Sequence, residues 1–542
     1  MRNIARRTNK VRERKTLTRI IGVASVCALV FSSVLVAAVD DERDHAVAVT
    51  ESGVVIGSTI NGVNEFLGIP YAASPTGSRR WRPPEHYGFF PGLRLRATQF
   101  GNQCAQPGGG GSENCLFLNV YAPAVEFEES EGCRWPVMVW IHGGGLDFGS
   151  GSDYDPTALV KKGVVVVTVN YRLGYLGFFA HPAIDAEGHL NGNYGLMDQQ
   201  FALKWVLRNT RGFCGDPSRV TIFGESAGGQ SVYAQMASPL AKGLFHRAIS
   251  ESGAYQEFQD YFDNIVPLDV AETAGTAIAD SVGCGNQTAE CLRGVPASTM
   301  VEGEPFPVFP FVDGMLLVQT ISAAFGSGEF NRVPVISGGN HDEWRLFVAF
   351  GYDFSGTPIL NSTDYESAVS DLWGSALQPA VLALYPFASY SFAGEALGAS
   401  GTDGIFSCPL RNANLSLSKF VRTYAYEFND ENAPPSQSLF GGSLTFPLGA
   451  YHSAELQYLF KNGNFFGLPL GELSRRQAKL SDAMTSYWTR FAKTGNPNSS
   501  GQPIWALYST SREEFQSLKA PTPAAEHNFD ADHKCSTFWD TF

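Results

Sequence analysis

Four apolar runs without polar alternation stand out along the chain: Val137-Met138-Val139-Trp140-Ile141, Val164-Val165-Val166-Val167-Thr168-Val169, Val220-Thr221-Ile222-Phe223 and Val333-Pro334-Val335-Ile336. A strand with one wet face alternates apolar and polar residues. Continuous Val/Ile runs instead suit strands covered on both faces, as in a parallel sheet between helices. Between the runs lie stretches of helical period, such as residues 194–208, where Leu196, Gln199, Leu203 and Val206 share a side. Strand, helix, strand in alternation predicts a doubly wound α/β architecture. No internal repeat interrupts it, and the one low-complexity patch is Gly108-Gly109-Gly110-Gly111. No linker divides residues 39–542, so a single domain is expected there.

Composition narrows the classes. Of 542 residues, 44% are hydrophobic and 13% aromatic, ample for a large core. A formal net charge of -14 argues against a nucleic-acid partner, which would call for a basic face. The charge is uneven: residues 1–19 carry eight Lys/Arg against Glu13 alone, and an uncharged apolar run over residues 20–39 follows. That order, with Val36-Ala37-Ala38 at its end, reads as a secretory signal over residues 1–38, cut after Ala38. The run is also long enough to span a bilayer, so an uncleaved anchor over residues 20–39 is the rival reading. Either way the body is secreted or extracytoplasmic, and a membrane partner is implied only by the anchor.

Cysteine usage fits export. Setting aside Cys27 in the apolar run, the even set 104, 115, 133, 214, 284, 291, 408 and 535 remains, with its connectivity open from spacing alone. Asn286, Asn361, Asn414 and Asn498 begin N-x-[ST] sequons and would be acceptors in a glycosylating host, making the chain a glycoprotein.

The third apolar run feeds into Gly224-Glu225-Ser226-Ala227-Gly228. This G-x-S-x-G stretch reads as a nucleophile elbow, in which a buried strand delivers a serine and a sharp turn starts a helix. Glycines stand at 224 and 228 because neighbouring backbone passes too close for a Cβ. Ala227 then offers its backbone N–H to a developing oxyanion. A serine is a poor nucleophile until a base takes its proton, so an acid and a histidine should follow in that chain order. After the strand at residues 333–336, Ser337-Gly338-Gly339-Asn340-His341-Asp342-Glu343 is expected as the loop at its C-terminal end. Gly449-Ala450-Tyr451-His452 supplies a histidine. Upstream, His142-Gly143-Gly144-Gly145 ends an early strand, and its glycines let backbone N–H groups face a ligand. His142 is expected to brace that loop rather than act as base.

The chain resembles the type-B carboxylesterase/lipase family, which includes cholinesterases and bacterial para-nitrobenzyl esterases. The resemblance rests on Gly68-Ile69-Pro70-Tyr71-Ala72, Ser112-Glu113-Asn114-Cys115-Leu116, Asn170-Tyr171-Arg172-Leu173-Gly174, Gly192-Asn193-Tyr194-Gly195, the elbow, Gly338-Gly339-Asn340-His341-Asp342-Glu343 and Gly495-Asn496-Pro497-Asn498. It implies an α/β-hydrolase fold, with a large, mostly parallel central sheet flanked by helices. It also implies a triad of Ser226, Glu343 and His452, with Gly144, Gly145 and Ala227 as the oxyanion hole. By composition Asp342 would serve as well as Glu343; the family pattern selects the glutamate and leaves Asp342 in a solvated loop. Ser252 matches a serine that supports the triad by hydrogen bonding, and Glu225 a buried structural carboxylate. The resemblance also pairs Cys104–Cys115, Cys284–Cys291 and Cys408–Cys535. Cys133 and Cys214 each precede a strand, at residues 136–141 and 220–223, and those strands are expected to be parallel neighbours; a Cys133–Cys214 disulfide follows.

The expected reaction is hydrolysis of a small carboxylic ester through an acyl-enzyme. No H-E-x-x-H or similar ligand spacing is present, so no metal or organic cofactor is called for. Residues 105–114, inside the first cysteine pair, are ten in number, glycine-rich and without an aromatic. That is little material for a lipase lid and lacks a cation–π partner for choline. Leu146 stands where the family often has an aromatic residue and is expected to widen the pocket. Phe306, Phe309 and Phe311 are expected to line or back the acyl side. Short to medium uncharged esters are the expectation. The alternatives are a lipase on longer-chain lipid esters and a non-catalytic, cholinesterase-like adhesion protein. The sequence leaves oligomeric state open.

Overall fold

The valine run at residues 164–169 becomes the strand Val165–Val169, all five of whose residues are buried. Burying each valine side chain stabilises the fold by roughly 1.5 kcal/mol or more. This computed structural model describes residues 45–541, apart from 125–131, 256–264, 303–307, 435–443, 461–463, 466–467 and 470. The signal or anchor segments, residues 1–38 and 20–39 with Cys27, lie outside the described residues, as does Phe306. Among the described residues, no helix is long and apolar enough to cross a membrane.

Eleven strands form one sheet: β1 (Ser58–Ile60), β2 (Val63–Pro70), β3 (Phe117–Pro123), β4 (Trp135–Ile141), β5 (Val165–Val169), β6 (Gly215–Glu225), β7 (Arg247–Glu251), β8 (Val335–Asn340), β9 (Thr423–Phe428), β10 (Phe515–Leu518) and β11 (Ala524–Glu526). Their spatial order is β11-β10-β9-β8-β7-β6-β4-β5-β3-β2-β1. From β5 across to β10 every neighbouring pair is parallel. Antiparallel pairing is confined to the two edges. The expected mostly parallel α/β sheet is thus present, and residues Ala48–Phe542 form one compact unit.

One boundary differs. Ser337-Gly338-Gly339-Asn340, expected as loop, continues β8, and the turn begins at His341. Ladders on both sides hold these residues, Ser337 and Gly338 against β7 and all four against β9. Gly338 lies beneath the Tyr426 ring, where a Cβ would collide. Here the glycine makes room for a neighbouring aromatic, and its weak strand preference is overridden.

Four helices matter for the site: α1 (Tyr194–Asn209), α2 (Ala227–Ala237), α3 (Cys408–Ser418) and α4 (Arg475–Thr494). Every residue of α2 is buried, so this helix packs on all sides rather than on one stripe. α4 starts in a capping box: Ser474 Oγ accepts the Gln477 N–H, and Gln477 Oε1 accepts the Ser474 N–H at 2.9 Å. It stops at Gly495, in the left-handed region at φ 72°. From α4, Trp488 donates its indole N–H to Glu251 Oε1 at the end of β7, 2.9 Å away.

Disulfides join Cys104–Cys115, Cys133–Cys214, Cys284–Cys291 and Cys408–Cys535. Cys133 and Cys214 precede the parallel neighbours β4 and β6 with Cα atoms 5.2 Å apart, and Trp135 N–H donates to Cys214 O at 2.8 Å. Cys408–Cys535 closes 127 residues and ties the C-terminal segment to the start of α3. Constraint of the unfolded chain on that scale contributes about 5 kcal/mol. Of the sequons, Asn414 cannot serve as expected: it lies on α3 with no exposed surface, out of reach of any transferase in the folded chain.

Beside that disulfide, His533 is buried between two carboxylates, with Nδ1 2.6 Å from Asp403 and Nε2 2.6 Å from Glu427. Burial opposes its charge, but Asp403 and Glu427 outweigh burial and hold its pKa well above 6.5. Glu427 is held down to about 2: burial works against its charge, and His533 and then His341 overcome it. The histidine's contribution is therefore complete below its unfolded pKa and is lost as pH rises through its folded value. Glu427 contributes fully above its unfolded pKa and fails only as pH falls toward about 2. His533→Gln is expected to cost about 3 kcal/mol near neutral pH, measured by urea unfolding, because two carboxylates lose their shared cation. The wild-type advantage should shrink steadily toward alkaline pH; an advantage that does not change with pH would contradict the charged-histidine account.

Candidate active site

At the end of β6 the chain turns through Ser226 into α2. Ser226 sits at φ 56°, ψ −125°, a conformation that costs a non-glycine residue on the order of 1–3 kcal/mol. Surrounding bonds hold it there: its N–H donates to Glu251 O at 2.9 Å, and its carbonyl accepts Gln230 N–H at 2.8 Å. A Cβ on Gly224 would sit 2.6 Å from Ile141 O, and one on Gly228 would strike the same carbonyl. Ala227 is the first residue of the eleven-residue α2, so its N–H belongs to the electropositive end of that helix.

Glu343 follows β8 by one turn and is fully buried. Its Oε1 accepts Ser252 Oγ–H at 2.6 Å and Asn340 N–H at 2.7 Å, and its Oε2 lies 2.5 Å from His452 Nδ1. The histidine loop is held by the same strand end. Asn340 Nδ2 donates to Tyr451 O at 2.8 Å, and Asp342 exchanges bonds with Ala450 in both directions, at 3.0 and 2.8 Å. On its other side, His452 Nε2 lies 3.2 Å from Glu225 Oε1, which also accepts the Ser453 hydroxyl. Among the described residues, Ser226 Oγ makes no hydrogen bond to that nitrogen.

The residues after β4 close the site from the sheet side. Gly143 lies against the elbow: a Cβ there would be 2.8 Å from Glu225 Oε2 and 3.2 Å from Ser226 Cβ. Gly144 and Gly145 both have positive φ, 104° and 63°, and the space beside Gly145 is open. Gly144 O accepts Asp147 and Phe148 N–H at 3.0 and 3.1 Å, turning the carbonyl into the loop. His142 Nδ1 bonds Gly143 O at 2.8 Å, its ring stacks on Tyr171 at 4.4 Å, and Tyr171 O–H donates to His142 O at 2.7 Å. Burial pushes the His142 pKa down to about 4, so this imidazole is neutral at pH 7.

One imidazole lies among four buried carboxylates, Glu225, Glu251, Glu343 and Glu455. Burial lifts Glu251 to about 8, against the Trp488 hydrogen bond, and lifts Glu455 well above the carboxylate range. Burial opposes charge on His452, but Glu225 and Glu343 overcome it and raise its pKa. The arrangement can therefore hold an imidazolium where water cannot reach.

Several residues of this site are assigned no role from the sequence. Asn340, Ser453 and Glu455 act through long-range bonds, and Phe347 and Phe406 flank the His452 ring at 5.1 and 5.2 Å. Asp342 is not in a solvated loop: it is 4% exposed, with Arg345 Nη2 at 2.9 Å from its Oδ1. Phe311 packs against Gly192 with its backbone bonded to the Asn193 side chain, and Phe309 is half-buried. Leu146 is buried.

A family model described as the carboxylesterase family matches residues 44–538. The para-nitrobenzyl esterase of Bacillus subtilis (strain 168) is 33% identical over 86% of this chain and 94% of its own length. A human protein named cocaine esterase is 33% identical over 91% of both chains. A solved PNB esterase superposes with a TM-score of 0.74 at 31% identity, covering 91% of this chain and 100% of that one. The sheet, the elbow and these likenesses agree: the chain belongs to the carboxylesterase family, has the α/β-hydrolase fold, and is a carboxylic ester hydrolase.

Proposed function

We propose that this protein is an exported serine carboxylesterase that cleaves short to medium, uncharged esters of small molecules through an acyl-enzyme. The observation that carries the reading is the Glu343–His452 contact of 2.5 Å, buried beside a serine in a strained elbow. Ser226 attacks the ester carbonyl and gives its proton to His452 Nε2; Glu343 orients the ring and stabilises the imidazolium. Gly144, Gly145 and Ala227 donate backbone N–H groups to the oxyanion, where one lost donor costs roughly 100-fold or more in rate. His452 then protonates the leaving alcohol, and water releases the acid by the reverse sequence. A relative named para-nitrobenzyl esterase supports small esters with an uncharged alcohol part. The short loop over residues 105–114 supports an open mouth rather than a lidded one. Four disulfides are compatible with an extracellular location.

The test is hydrolysis of para-nitrophenyl esters of rising acyl length beside Ser226→Ala. Turnover is expected to peak at acetate or butyrate and to fall by a factor on the order of 10⁵ in the variant. A maximum at long chains would move the assignment to a lipase, and turnover independent of Ser226 would end the serine mechanism.

A second outcome concerns pH. Neutral His452 is the base, and its pKa is raised, so the acid limb of kcat/KM should lie above the ordinary histidine value of 6.5. Glu225→Gln removes the largest single contribution that raises this pKa, so the limb should move to lower pH. An unmoved limb in that variant would exclude Glu225 as the cause.

A further inference from the structure

The loop over residues 104–115, closed by Cys104–Cys115, uses its polar groups on three protein neighbours, one of them Arg80, which donates to both Glu113 carboxylate oxygens at 2.7 and 2.6 Å. It is first closed on itself, with Gln106 N–H donating to Gly110 O at 3.3 Å and Ser112 N–H to Gln103 O at 2.9 Å. At its inner end the Gln106 carboxamide holds Gly149, where the glycine-rich turn after β4 ends. Gly149 N–H donates to Gln106 Oε1 at 3.0 Å; Gln106 Nε2 donates to Cys104 O at 3.0 Å and reaches Gly149 O at 3.5 Å. At its outer end, Gly108 and Gly109 N–H both donate to Glu302 Oε1, at 2.8 and 3.0 Å.

Gly149 is packed on the start of the same turn. Its φ is 105°, and a Cβ there would be 2.7 Å from His142 Nδ1 and 2.9 Å from Gly143 O. Just beyond it, Asn170 Oδ1 accepts Gly151 N–H at 2.8 Å, while Asn170 Nδ2 donates to Asn102 O at 3.0 Å. The exit of the turn is therefore tied to the disulfide-loop region twice, through Gln106 and through Asn170. Glycines have the largest backbone freedom of any residue, and a donor stabilises an oxyanion only if its direction is set in advance.

We propose that Gln106 is a positioning residue for acyl transfer: held in the disulfide loop, it fixes Gly149 and with it the direction of the Gly144 and Gly145 amides, while Glu302 anchors the far end of the strut. The inference rests on the oxyanion-hole assignment made under the proposed function.

Gln106→Met fills a similar volume but can neither donate nor accept. It should lower kcat on para-nitrophenyl acetate about tenfold, less than the loss of a donor outright, with KM within about twofold. Inhibition by a trifluoromethyl ketone, which forms a tetrahedral adduct on Ser226, should weaken by the same factor, while competition by the product acid stays constant. Gln106→Glu keeps an acceptor for Gly149 N–H but sets its second oxygen against Cys104 O, so it should recover part of the kcat lost in Gln106→Met. Glu302→Ala, at an exposed position, should give a smaller loss of kcat in the same direction. Wild-type kcat in Gln106→Met, a loss confined to KM, or equal losses in the Met and Glu variants accompanied by a lowered Tm would each overturn the strut. Failure of the serine mechanism looks different, since Ser226→Ala would then retain wild-type turnover.

Discussion

The carbonyl oxygen of Ile141 occupies the space that a Cβ on Gly224 or Gly228 would need, so β4, β6 and α2 meet backbone to backbone. Much else follows from that contact. β4 runs directly into His142-Gly143-Gly144-Gly145, β6 into Ser226, and α2 starts at Ala227. Any side chain at 224 or 228 would push the helix from the strand and separate the glycine-rich turn from Ser226. Parallel register between β4 and β6, with Cys133–Cys214 across their starts, sets this approach from the far end of the sheet. The packing of backbone and the placement of chemistry are one constraint here.

Electrostatics follow from the same packing. Strand ends covered by helices exclude water, which makes every unpaired carboxylate costly. The protein meets this by giving the buried acids different environments. Glu343 has three donors on its two oxygens, whereas burial leaves Glu251 and Glu455 with raised pKa values. Burial raises Glu225 as well, against its contacts with His452 Nε2 and the Ser453 hydroxyl. With Nδ1–H directed at Glu343, a neutral ring presents a lone pair at Nε2 and would repel that carboxylate. A protonated ring donates to it. The 3.2 Å contact therefore favours the imidazolium, the state that the proposed mechanism requires of this histidine after proton transfer.

How much of this was legible in the sequence depended on whether a residue's role was local. The valine runs, the elbow glycines and the glycine-rich turn after β4 express backbone demands that only a few residue types can meet, and they read clearly. Ser337 to Asn340 did not, because glycines in a strand look like a turn until Tyr426 of the next strand is known to need the space. Asp342 reads as a solvated acid beside Glu343, yet it is buried by its bonds to Ala450 and its contact with Arg345. The Phe347 and Phe406 wall around His452 joins positions far apart in sequence, which no periodicity reveals. Long-range pairing was the missing information in each case.

His452 shows what such pairing achieves. Its neighbourhood contains only the four-residue helix Leu456–Leu459, so local structure does little to hold it. Placement comes from Asn340 and Asp342 at the end of β8 and from Glu225 at the end of β6, each reaching across more than a hundred residues of chain. Because those contacts end on the strands that lead to Glu343 and Ser226, His452 is positioned relative to both at once. A histidine placed by its own helix could be well ordered and still misaligned with its neighbours. One placed by the ends of β6 and β8 takes its alignment from the sheet itself.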